Sequence, residues 1–164
     1  MKLKLKLESF DDELMLKRFK LKVGDKKVTT PVKSGYKKCP VGKINEIYRK
    51  FSLDKINKCL RDERVERTVN SEIGSDSTSD INFCIVDYCD LNIPNYKQIE
   101  TLSDIQYGHS DILVTPTFSK LIRELNVDRL KETFIDLTNQ YISCVQSLND
   151  KSIIGVIPSR MPRL

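Results

Sequence analysis

The chain has no tryptophan, a single histidine and no apolar run near the roughly 20 residues that a membrane span needs. It has no Gly-rich phosphate loop either. Neither G-x-G-x-x-G nor G-x-x-x-x-G-K-[ST] occurs, and Gly35…Gly42-Lys43 has the wrong spacing with no Ser or Thr after it. A G-x-S-x-G elbow and an H-E-x-x-H helix are also missing. These absences disfavour nucleotide hydrolases, serine hydrolases and zinc proteases. The cysteines, Cys39, Cys59, Cys84, Cys89 and Cys144, are odd in number and include no C-x-x-C pair. Such a scattered set beside one histidine predicts reduced thiols, and implies neither a metal centre nor a cofactor. The N-terminus, Met1-Lys-Leu-Lys-Leu-Lys-Leu7, alternates charge with Leu and lacks the continuous apolar stretch of a signal peptide. The expectation is a cytoplasmic protein with no membrane partner.

What is present suits one globular domain over residues 1–164. Hydrophobic residues make up 39% and charged residues 31% of the chain, enough to bury a core without disulfides. Charge is uneven. Residues 1–67 hold 20 Lys+Arg against 10 Asp+Glu, a net of +10; residues 68–164 hold 8 against 13, a net of −5. A basic half of this kind can serve as a polyanion-binding face.

The first 33 residues read as a β-hairpin region. Lys2–Leu7 and Arg18–Val23 alternate Lys with apolar residues, the period of a half-buried strand. Gly24-Asp25 is a two-residue turn signal with Gly at the first central position, and Lys26–Val32 is the return strand. Ile44, Ile47, Tyr48 and Phe51 fall at spacings of 3, 1 and 3, which predicts a helix. Ser52 is placed to cap the next helix, lined by Ile56, Leu60 and Val65. Residues 74–80 form a polar break, predicted as a flexible loop. Ile81–Val86 reads as a buried strand. Residues 91–110 look irregular, with a short helix near Tyr96–Leu102.

From Asp111 the pattern sharpens. Ile112–Thr115 is an apolar strand, and Phe118, Leu121, Ile122 and Leu125 line a short helix. Leu130, Phe134, Leu137, Tyr141, Val145 and Leu148 line a longer one, and Ile153–Ile157 is the next strand. Apolar strands separated by amphipathic helices predict a parallel sheet covered on both faces. The fold class is therefore α/β: parallel strand–helix repeats over residues 81–164, an open sheet or a partial TIM-type barrel, preceded by the N-terminal β-hairpin.

In parallel α/β folds ligands bind at the C-terminal ends of strands. That rule selects Asp87 and Asp90 as candidate catalytic carboxylates. Directly after a buried strand, Asp87 is partly desolvated and suited to act as a base or nucleophile; its plainer reading is a turn cap or a Lys partner. The rule also selects Thr115 and Arg160 as candidate ligand contacts, with an ordinary solvated tail as the alternative for Arg160. In the basic half, Lys33, Lys37, Lys38, Lys43 and Arg49 are candidate nucleic-acid contacts. His109, expected in a polar loop, reads as a surface or turn residue.

The stretch Phe19-Lys-Leu-Lys-Val-Gly-Asp-Lys-Lys-Val-Thr-Thr-Pro-Val32 resembles the N-terminal hairpin and first barrel strand of the tRNA-guanine transglycosylase-like superfamily. Asp87 resembles, more loosely, that family's strand-end aspartate, although Tyr88-Cys89-Asp90 follows it where the family has small residues and glycines. The resemblance implies a nucleic-acid-associated domain, a partial or inactive barrel related to base-exchange enzymes that needs a second chain. Separately, the strand Ile153–Ile157 with no helix to cover it predicts an edge, or an element completed by another copy. Two other readings stand beside it: a protein-interaction module that is not an enzyme, and a small-molecule enzyme using the strand-end carboxylates.

Overall fold

In a computed structural model, residues 3–11, 16–30, 34–36, 44–148 and 150–157 are described. Candidates Lys33, Lys37, Lys38, Lys43 and Arg160 lie outside these residues.

The N-terminal alternation forms an antiparallel sheet. β1 (Leu3–Asp11) pairs with β2 (Leu16–Val23), and β2 pairs with β3 (Lys26–Thr29). Gly24 adopts φ 57° in the two-residue turn between β2 and β3, a conformation glycine reaches without a Cβ clash. A register shift between Leu7 and Ser9 marks a bulge in β1.

A parallel ladder follows: β4 (Ser34–Tyr36), β5 (Ile44–Phe51) and β6 (Ile81–Tyr88), side by side in chain order. β5 corrects the expected helix over Ile44–Phe51. Ile47 and Phe51 face one side of the strand and are buried, while Ile44 and Tyr48 face the other. The apolar positions of both faces together spell a helical spacing. A parallel strand can carry apolar residues on both faces, so a one-stripe reading was bound to fail here.

Ser52 caps α1 (Leu53–Arg61) as expected, its Oγ accepting from Lys55 N at 3.2 Å. The helix does not continue to Val65. Asp62 leaves helical geometry at φ −136°, ends α1, and caps α2 (Glu63–Gly74) by accepting from Arg64 N at 2.9 Å.

Residues 91–110 are more regular than expected. α3 (Tyr96–His109) starts from a reciprocal capping box between Asn95 and Gln98. Its pattern was hidden because Gln98, Ser103 and Gln106 are buried among its apolar residues. His109 is thus the last residue of a helix rather than part of a loop. β7 (Leu113–Val114), α4 (Ser119–Glu124), α5 (Val127–Leu148) and β8 (Ile153–Ile154) complete the order. β7 and β8 pair in parallel, as the sequence predicts, but each is only 2 residues long.

β6 and β7 are joined mainly by side chains. Gln106 Nε2 donates to the carbonyls of Cys84 and Val114, Ser110 Oγ accepts from Cys84 N, and Asp111 Oδ2 accepts from Asn82 N. Beyond this gap Thr117 bridges Asp87 in parallel. The parallel strands therefore occur as small ladders, and no closed barrel is present among the described residues.

One face of these strands carries the main core. Ile47, Phe51, Cys84, Val86 and Tyr88 pack against residues of all five helices. The other face differs from the expected two-sided helical cover. Among the described residues the apolar cover on this face lies at its N-terminal end, where Val23 and Val28 pack on Ile81 and Ile112 beside Ile44 and Phe83. Lys26 fastens this contact, donating to Asp111 Oδ2 and to the carbonyl of Asp80, both at 2.6 Å.

Candidate nucleic-acid interface

The described strand-end candidates, Asp87, Asp90 and Thr115, are engaged in holding local structure. Asp87 is 3% exposed. Its Oδ1 accepts from Thr117 Oγ1 at 3.0 Å and Ser119 N at 3.2 Å, and its Oδ2 from Ser119 Oγ at 2.9 Å. A carboxylate has about four acceptor positions, so three donors leave little room for a substrate. Phe118 offers no side-chain cap to α4, and Asp87 supplies one from β6.

Asp90 binds the turn after β6. Its Oδ1 accepts from Leu91 N, Asn92 N and Asn92 Nδ2, and its Oδ2 from Leu53 N at the start of α1. These bonds, the Asn92 N–H foremost, hold its carboxyl below the usual carboxylate range. Thr115 Oγ1 accepts from Val156 N at 2.8 Å and extends the β7–β8 pairing. Arg49 is clamped as well, between Asp76 Oδ2 at 2.5 Å, the Glu72 carbonyl at 3.1 Å and the Tyr48 carbonyl at 2.9 Å. The structure brings Asp87 and Asp90 to the same end of β6 but joins them into no shared cluster. Burial pushes the Cys84 thiol up to about 12, the behaviour of an inert core cysteine.

The N-terminal sheet presents a different arrangement. Cross-strand partners share a face, so the register sorts its side chains into two sets. Leu3, Leu5 and Leu7 stand opposite Val23, Leu21 and Phe19, and Val28 stands opposite Leu21. The reverse face pairs Lys4 with Lys22, Lys6 with Lys20, and Lys22 with Lys27. All five of these lysines are exposed. Among the described residues none of them has a carboxylate within ion-pair distance. Glu8 pairs instead with Arg18 at 3.4 Å, at the bulge.

Directly opposed like charges destabilise a sheet, because their Cβ atoms lie only about 5 Å apart. A sheet selected for stability alone would intersperse acids, as α1 and α2 do with Lys58–Asp54 and Arg67–Glu63. The residue set differs from the basic residues singled out in the sequence. Alternation of Lys with Leu was visible there, but the facing of Lys against Lys needs the strand register, which fixes all five on one surface.

Compared with family models, curated proteins and solved structures, the chain shows no match. Among the described residues no helix is long and apolar enough to cross a membrane.

Proposed function

We propose that this protein is a nucleic-acid-binding α/β domain whose contact surface is the lysine face of β1–β3. One observation carries the reading: five exposed lysines face one another across three strands, and among the described residues none of the five has a carboxylate within ion-pair distance. Their mutual repulsion is relieved when phosphates replace solvent counterions. The excess of positive charge in residues 1–67 points the same way.

Kinship with the transglycosylase-like superfamily belongs to the same proposal, as a partial barrel. Its support is the chain order, an antiparallel N-terminal unit followed by parallel strands, although β3, the stretch likened to the first barrel strand, pairs antiparallel with β2 and lies outside the parallel ladder. A second copy completing the sheet along β4 or β8 is part of this picture. A monomer in light scattering at high protein concentration would remove that part alone.

The binding claim is tested by replacing Lys4, Lys6, Lys20, Lys22 and Lys27 together with Gln. The wild-type protein should retain duplex DNA at low salt and the variant should not. Equal retention by both, with circular dichroism showing both folded, would count against the lysine face.

A further inference from the structure

The side chains on the lysine face also limit how it can hold a nucleic acid. Proteins that bind single strands set aromatic side chains between their cations, so that bases stack on them. Here the described residues on the same face are Thr29, opposite Lys20, Arg18, tied to Glu8 and opposite Ser9, and, by register, the Asp11–Leu16 pair at the far end. The exposed ring of this sheet, Phe10, lies on the reverse face, where Lys17 Nζ sits 5.6 Å from its centroid. No Asn, Gln or unpaired guanidinium lies on the lysine face among the described residues, so the usual bidentate partners of base edges are missing. Lysine is a donor-only point charge on a flexible stem; it meets a phosphate oxygen without fixing orientation.

Spacing argues in the same direction. Lysines two apart on a strand are separated by about 7 Å and adjacent strands by about 4.8 Å, so the charges occupy a patch of roughly 10 by 7 Å. A duplex offers one phosphate per about 1.7 Å of axis, twice the density of one strand. Resting on the nucleic-acid reading above, we infer that the lysine face binds the phosphate backbone of double-stranded nucleic acid without reading its base sequence.

Fluorescence anisotropy with the full chain at low salt tests this. The probes are two DNA duplexes of equal length and unrelated sequence, and a single strand of each. The two duplexes should bind within about threefold of one another, and the single strands roughly tenfold more weakly. The double variant Lys4→Gln with Lys22→Gln should weaken both duplexes by the same factor, while Lys97→Gln, exposed on α3, should change neither. Single strands bound as tightly as duplexes, or duplexes differing by more than tenfold, would overturn the inference and leave nucleic-acid binding standing. Failure of every probe to bind would overturn both.

Discussion

Gln106 is fully buried in α3 and divides its side-chain amide between two strands. Its Oε1 accepts from Tyr141 Oη at 2.7 Å, which ties α5 into the same network. Replacing it with Leu leaves two strand carbonyls and a phenol unpartnered in the core. Gln106→Leu should therefore lower unfolding free energy by about 2–4 kcal/mol, and Tyr141→Phe by only about 1 kcal/mol. Urea unfolding of both variants measures the difference, and equal losses would place the strand junction elsewhere. His109 gives a second residue-scale test. Its Nε2 lies 3.0 Å from Asn70 Oδ1, and burial, then Lys151 and Arg49, push the imidazole below its ordinary value of 6.5. In acid the unfolded chain takes up a proton that the folded chain resists. Stability is thus intact above pH 6.5, and falls as pH drops below it until the folded imidazole itself titrates. Urea midpoints from pH 7.5 down to 5.5 should fall more steeply for the wild type than for His109→Gln. Parallel curves would remove His109 as the cause.

Among the elements, the N-terminal sheet combines a stabilising face with a destabilising one. Val23 and Val28 anchor it to the body, whereas Lys4–Lys22, Lys6–Lys20 and Lys22–Lys27 strain it. Lys22→Gln relieves two like-charge pairs and should raise stability by about 0.2–1 kcal/mol while weakening nucleic-acid binding. Opposite signs of these two effects are what separates a functional face from an idle one; a variant that loses both would indicate a structural role for Lys22. The elements also show what was legible beforehand. β1–β3 and α5 are legible because a single period of 2 or 3.6 runs through each; in β1 that period holds although Leu3, Leu5 and Leu7 stay exposed. β5 was misread because Ile44 and Tyr48 lie on one face and Ile47 and Phe51 on the other. α3 was largely missed because Gln98, Ser103 and Gln106, which do its bonding, break up its apolar stripe. Of the strand-end candidates, position could be read from the sequence but partners could not. Asp87 bonds Thr117 and Ser119, which lie about 30 residues further along the chain.

For the whole molecule, the sheets divide the labour. The parallel strands and the helical layer hold the core, and their strand-end carboxylates are occupied in keeping loops closed. The antiparallel sheet sits under the other end, held by Lys26 on Asp111, and turns its lysines to solvent. The most direct measurement is the salt dependence of duplex binding for the wild type and for the variant with all five lysines replaced by Gln. Each phosphate neutralised contributes about −0.9 to the slope of log K against log salt, so five lysines should make the wild-type slope steeper by about 4 to 5. Identical slopes for the two proteins would contradict binding through this face.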